Sequence, residues 1–188
     1  TLLNVAITML CAYPLARKEF SGRLVFSMIF LFTMVFNAGM IPNYLLMRDL
    51  HLLNSRWAML LPGAINVYNM IVARTFIQNT IPQELLEASK LDGCDDIQYF
   101  LRIVLPLSTT VIAVITLYYA VAHWNSYFNA FLYLSDRKLY PLQIFLRQIL
   151  VQNNFDTSEV TDPDLAQQLQ GLSEVLKYSV IVVSTAPL

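Results

Sequence analysis

Apolar residues in this chain come in long runs, and polar residues collect between the runs rather than alternating with them. Residues 1–15, 24–41, 57–73 and 103–134 form such runs, and another opens at Tyr178 and continues to Leu188. The 24–41 and 103–134 runs carry no Asp, Glu, Lys or Arg. A run of this kind suits lipid, where the backbone must satisfy its own hydrogen bonds and therefore becomes helical. Since a crossing helix needs roughly 20 apolar residues, the pattern predicts an all-α, polytopic membrane helical bundle of about five transmembrane segments. Gly39 and Pro42 mark the far end of the second run, Arg56 and Arg74 bracket the third, and Trp57 sits where an interfacial aromatic belongs. The 103–134 run is longer than one crossing needs, so it holds a fourth helix and a polar-aromatic continuation. The chain starts and stops inside apolar runs, so residues 1–188 are expected to be one transmembrane domain truncated at both ends.

The connections differ in character. Ala16 to Arg23 is short and basic, Asn43 to Arg56 is mixed, and Arg74 to Arg102 carries Glu84, Glu87, Asp92, Asp95 and Asp96. Ser135 to Lys177 is the longest; its 141–150 piece is amphipathic and 153–170 is polar. If connections alternate sides, Arg17, Lys18, Arg23, Arg74, Lys90 and Arg102 share one face, and Arg48, Arg56, Arg137, Lys138, Arg147 and Lys177 the other. The density of basic residues in the short loop favours the first set as cytoplasmic, because short loops follow the positive-inside bias best.

Composition strengthens the membrane reading. The chain is 56% hydrophobic and 13% charged, against roughly 25% charged in soluble domains. A net charge of -1 gives no electrostatic footprint for nucleic acid. Cys11 and Cys94 lack the spacing of a metal site or redox pair and are read as free thiols.

The acidic connection at 80–106 has internal structure. Thr80 can accept from a free backbone N–H, Gln83 can reach back, and Pro82 is tolerated in a first turn, which predicts a helix through Ser89. Gly93 can end that helix in the left-handed region, and Asp95 with Gln98 repeats the capping pattern for a second helix. The hairpin could be a helix-turn-helix DNA reader, a solvated joining loop, or a docking element. Its acidic surface and flanking lipid helices oppose phosphate contact. Paired helices with small residues at Ala88 and Ser89 and a glycine turn suit a rigid knob in a partner's groove.

The run Glu87-Ala88-Ser89, three further residues, Gly93, nine residues, then Ile103-Val104-Leu105-Pro106 resembles the "EAA" loop of ABC-importer permeases, departing only by Ser89 in place of Ala. The wider chain is similar to the carbohydrate branch of those permeases, the maltose type and its polysaccharide-import relatives. Ala12 to Arg17, Ile81 to Ala88 and Trp124 to Phe128 carry that likeness. The resemblance implies a cytoplasmic coupling helix seated in a cleft of an ATP-hydrolysing subunit. In that role Glu87 is the acidic contact, Ala88 and Ser89 the close-approach surface, and Gly93 the turn, with Asp92, Ile103, Leu105 and Pro106 completing the ATPase-coupling set. It also implies ABC ATPase subunits, a second permease and an extracytoplasmic solute-binding protein as partners, in a bacterial cytoplasmic membrane. ATP and Mg would be bound by the partner ATPase and no cofactor by this chain.

Polar residues in bilayer segments usually face a cavity or another helix. Asn66 and Asn69 lie three apart on the third helix and so are expected to share a face, and Trp124, Asn125, Tyr127 and Asn129 cluster beside His123 at the end of the fourth segment. Rings that stack on sugar faces and amides that meet hydroxyls suit a carbohydrate path. Interhelical hydrogen bonding and an interfacial aromatic belt would use the same residues.

No catalytic set is legible. None of the glycines at 22, 39, 63, 93 and 171 is followed by Lys-Ser or Lys-Thr at P-loop spacing, so ATP hydrolysis is expected in another subunit. His51 and His123 have no second ligand at helical spacing, and no metal site is expected. The function implied is a permease subunit moving sugars or oligosaccharides. The same fold with amino acid, peptide or phosphate cargo, a membrane-embedded enzyme, and a structural membrane protein are the alternatives.

Overall fold

The computed structural model describes residues 1–152 and 163–185, and every regular element in them is helical. The helices are α1 (Leu2–Ala16), α2 (Arg23–Val35), α3 (Met40–Asp49), α4 (Arg56–Leu60), α5 (Val67–Thr80), α6 (Gln83–Leu91), α7 (Asp96–Tyr99), α8 (Leu105–Leu107), α9 (Thr109–Trp124), α10 (Tyr127–Tyr133), α11 (Leu142–Gln152) and α12 (Pro163–Thr185). A π-helical turn, Phe100–Val104, joins α7 to α8, and a 3-10 turn, Arg137–Leu139, precedes α11. Residues 153–162 of the polar stretch and 186–188 of the last run lie outside the described residues.

Each apolar run is helical, but three are broken where a straight helix was expected. The 24–41 run stops at Val35, and the chain turns by 114° into α3. Gly39 is the reason, because it caps α3 at φ +88°, in the left-handed region that favours a residue without Cβ. The mixed connection read from Asn43 is therefore largely helical, with Pro42 inside the first turn of α3 where its missing N–H costs nothing. The 57–73 run breaks between α4 and α5 around Pro62 and Gly63, and α5 continues past Arg74 to Thr80. The third break lies at Ser108, where the Asp96–Leu107 and Thr109–Trp124 segments meet at 79°. Among the described residues no single helix is long and apolar enough to cross a membrane alone, whereas the two bent pairs at 23–49 and 96–124 pass that test together.

The described residues fall into two compact units, one within 1–50 with 60–123 and one within 51–59 with 124–188. In the first, α1 packs chiefly on α5, and α2 touches both. Its core draws Met9 and Ala12 from α1, Met70 and Ala73 from α5, Val104 from the π turn and Ile115 from α9. Ala12 and Ala73 are wholly buried, the small residues that allow helices to approach closely. A polar network runs through the same core. The Thr8 and Tyr119 hydroxyls are 2.7 Å apart, Asn66 N–H donates to the Tyr119 oxygen at 2.9 Å, and Asn4 Nδ2 donates to the Gly63 carbonyl at 2.6 Å.

In the second unit Ala130, Leu134 and Ile144 form a core joined by Met59, Tyr127, Leu139 and Tyr140. Asn54, itself at φ +57°, accepts from the backbone N–H groups of Ser135 and Asp136 at 3.1 and 2.8 Å and donates its own N–H to the Tyr133 carbonyl. α11 packs on both α10 and α12.

Candidate functional site

The hairpin forms in the first unit, with a start that differs from the sequence expectation. Thr80 ends α5 instead of capping α6, and the N-cap position is Pro82 with no side-chain bond. The residue before a proline is pushed out of the helical region, and Ile81 accordingly is extended at φ −103°, ψ 108°. Gln83 does not reach back either, since its amide donates forward to Glu87 Oε1 at 3.3 Å.

The turn follows from a glycine-ended helix. Gly93 sits at φ +76°, its N–H bonds the Lys90 carbonyl at 3.1 Å, and the Cys94 N–H bonds the Ser89 carbonyl at 2.9 Å. This is a Schellman closure, which satisfies carbonyls that the helix end would otherwise leave free. Asp95 caps α7 by accepting from the Asp96 N–H at 2.8 Å. Farther along, the Leu105 N–H bonds the Phe100 carbonyl, one residue beyond the α-helical partner. Pro106 has no N–H for the Arg102 carbonyl, and the wider π turn just before it places that defect at the root of the hairpin.

Burial divides the residues assigned to coupling. Ser89 is 6% exposed, and its hydroxyl donates to the Leu86 carbonyl at 2.8 Å, so Leu86 and Ser89 turn toward the core. Glu87, Ala88, Asp92, Gly93 and Pro106 are exposed, while Ile103 and Leu105 are half-buried. Two apolar residues that the sequence reading did not single out stand out at the tip: Leu91 is 90% exposed and Ile97 67%. The outward face is thus acidic with an apolar centre, an arrangement suited to a protein groove.

A brace holds the hairpin to the short basic loop. Arg17 pairs with Asp96 and with Glu19 at 2.7 Å, and Lys90 pairs with Glu19 at 2.8 Å. Both arms, through Lys90 on α6 and Asp96 on α7, are thereby tied to the chain between α1 and α2. Hydrogen bonds from Lys90 and then Arg17 hold the Glu19 carboxyl below its ordinary pKa. Burial pulls the Arg17 guanidinium down, but its bonds to Asp96 and Glu19 outweigh that and raise its pKa. Behind the ion pairs, the Tyr13 ring lies 5.0 Å from Phe100 and 6.4 Å from Tyr99, with the Arg17 guanidinium 5.7 Å above it. Sequence reading used Arg17 and Lys90 for orientation only; nothing in the linear spacing joins Glu19 to Lys90.

The residues assigned to a cargo path fall into separate settings. In the first unit Asn66 caps α5, its side-chain oxygen taken by the Asn69 N–H at 3.2 Å, and Asn69 is 5% exposed. The two are related as cap and capped turn, not as neighbours on one helical face. In the second unit the Trp124 indole donates to the Ser184 carbonyl at 2.9 Å, and the Arg147 guanidinium lies 4.6 Å above the Tyr127 ring. Asn125 and Asn129 are exposed.

Residues 4–186 match the family described as "Binding-protein-dependent transport system inner membrane component". Over its whole length the chain is 42% identical to the polygalacturonan/rhamnogalacturonan transport system permease protein YtcP and 41% identical to protein LplC, both of Bacillus subtilis. It spans 64% and 62% of those proteins. A solved bacterial ABC transporter involved in the import of the acidic polysaccharide alginate superposes with a TM-score of 0.84 at 34% identity, covering 100% of this chain and 65% of that one. With a family match over nearly every residue and a likeness in fold and sequence to a solved importer chain, this chain belongs to the inner membrane components of binding-protein-dependent transport systems.

Proposed function

We propose that this chain is part of the permease subunit of an ATP-driven importer that moves sugars or oligosaccharides across the bacterial cytoplasmic membrane. The observation that carries the reading is the braced hairpin. Its glycine turn presents Glu87, Ala88, Leu91 and Ile97 outward while Leu86 and Ser89 seat it on the core. A knob that is rigid on one side and apolar-acidic on the other transmits force if a partner grips it. The partner on this reading is an ATPase subunit on the cytoplasmic side, and ATP and Mg belong to that subunit. A second permease would complete the pathway, and an extracytoplasmic binding protein would deliver cargo. ATP binding draws the ATPases together, the hairpin follows, and the helices switch between outward and inward access. The carbohydrate assignment is supported by the polygalacturonan/rhamnogalacturonan permease and the alginate importer among the similar proteins.

Co-purification tests the docking. The full-length protein, expressed with its neighbouring ATPase and taken up in mild detergent, should retain the ATPase, and Glu87→Lys should weaken retention through charge reversal. Equal recovery from the variant removes Glu87 from the contact, and no ATPase recovered from either removes the proposal. An amino acid, peptide or phosphate cargo is separated from a sugar by binding assays on the cognate solute receptor.

A further inference from the structure

Beside the brace lies a cavity of about 500 Å³, between the α1–α2 loop and the first arm of the hairpin. Lys18 and Arg23 line it with Gln78, Asn79 and Gln83. Glu19 also borders it, but that carboxylate is already held by Lys90 and Arg17. With its amide oriented to suit its neighbours, the Gln78 oxygen accepts from Arg23 Nη2 at 3.2 Å and from Arg74 Nε at 3.3 Å. Two guanidinium groups therefore converge on one neutral amide. Among the described residues no carboxylate is within ion-pair distance of Arg23, Arg74 or Lys18. Like charges brought together in a half-buried site repel unless a counter-ion joins them. The start of α2, with Gly22 at its cap and no acidic residue in its first turn, adds the positive end of a helix dipole. The C-terminal end of α5 also borders the cavity, and its partial negative charge is smaller than the two guanidinium charges that meet at Gln78.

We propose that this cavity binds a phosphate group, that of an anionic phospholipid headgroup, with Arg23 and Lys18 contacting it and Arg74, which shares the Gln78 oxygen with Arg23, adding its positive potential. The neighbouring surface favours a lipid over a free anion. α2 leads away from Arg23 with Leu24, Val25, Phe26, Met28 and Ile29 all exposed and with no buried residue along its length, a surface suited to acyl chains. An arginine fork matches phosphate oxygens in geometry, which a point charge does not. The lipid would occupy the wedge between α2 and the hairpin root, next to the brace. The inference rests on the membrane reading above but not on the ATPase contact.

The test uses the full-length protein in nanodiscs that contain phosphatidylglycerol, phosphatidylcholine or both, with retained lipid counted by native mass spectrometry after transfer to detergent. The wild type should retain phosphatidylglycerol in preference. Arg23→Gln with Arg74→Gln should lower that retention by roughly five-fold for each cation removed, the scale of one basic side chain's attraction to an anionic surface. Lys18→Gln, on an exposed loop, should lower it less, and Arg23→Lys with Arg74→Lys should keep part of it, which separates lost charge from lost folding. Equal retention by the double Gln variant overturns the site. Displacement of the lipid by millimolar inorganic phosphate would assign the cavity to a free anion and overturn the lipid. ATPase recovery is scored on the same preparations: lipid preference without ATPase would defeat the transport reading and leave this one standing.

Discussion

Gly93 is the residue on which the hairpin turns, and its constraint is conformational rather than steric. An added Cβ there would meet nothing within 4 Å, yet φ is +76°. A residue with Cβ is disfavoured in that region by roughly 1–2 kcal/mol, and Asn less than others because its amide can bond locally. If the hairpin couples to an ATPase as proposed, Gly93→Val should therefore abolish ATPase stimulation in the reconstituted complex while the protein still inserts, whereas Gly93→Asn should keep most of it. Equal loss in both variants would show that the tip needs a bare backbone for contact rather than a left-handed turn. Glu19 makes a second prediction at this scale. Its carboxyl is held below the ordinary carboxylate range by Lys90 and Arg17, so its stabilising effect is complete at neutral pH. That effect fades as pH falls below about 4.5, the reference value, and is lost once pH has dropped through the lowered pKa. A spin label on Cys94, in a Cys11→Ser background, should gain mobility over that acid window. In Glu19→Gln part of that mobility should be present at every pH, since the Arg17–Asp96 pair remains, and a pH-independent spectrum in the parent would disprove the Glu19 arm of the brace.

Some elements follow the apolar runs and others do not, and what was not legible has identifiable causes. α1, α9 and α10 lie where the 1–15 and 103–134 runs put them, because uninterrupted apolar residues leave the backbone no partner but itself. The breaks after Val35 and before Val67 depend on what a Gly or Pro does to φ, which composition alone does not report. Of the hairpin, the spacing from Glu87 to Pro106 made the two arms and the turn readable. The inward aim of Ser89 and the exposed Leu91 and Ile97 depend on helix phase against the core, and the Arg17–Glu19–Lys90 brace on a contact distant in sequence. The buried hydroxyl network was missed for the same reason, as Thr8 and Tyr119 sit on helices far apart in the chain. It also ranks two variants. Tyr119→Phe strands both the Thr8 hydroxyl and the Asn66 N–H and should cost about 1–3 kcal/mol, while Thr8→Val leaves Tyr119 its Asn66 donor and should cost less. Thermal unfolding in detergent reads the order, and the reverse ranking would mean that Asn66 finds its partner elsewhere.

At the scale of the whole molecule the question is whether the hairpin flexes on the helices or carries them. A hinge would need weak contacts at its root, and the first unit has the opposite. Tyr99, Phe100 and Val104 are buried there, Tyr13 packs on two of those rings, and ion pairs tie both arms to the α1–α2 loop. These side chains share one core with α1 and α5 through Leu86, Tyr99, Phe100 and Val104, so if a partner grips the tip as proposed, force applied at Leu91 and Ile97 reaches that core without first bending the hairpin. Joining the arm to the loop covalently should then be harmless. On the proposed function, Glu19→Cys with Lys90→Cys, linked by a short bifunctional thiol reagent in a background lacking Cys11 and Cys94, should support uptake of the proposed sugar cargo in proteoliposomes at close to the rate of the unlinked pair. The lost salt bridge is common to both samples and cancels. A hinge would be frozen by the same linker, and a fall in uptake on linking, with ATPase binding retained, would show that the hairpin pivots against the loop during transport.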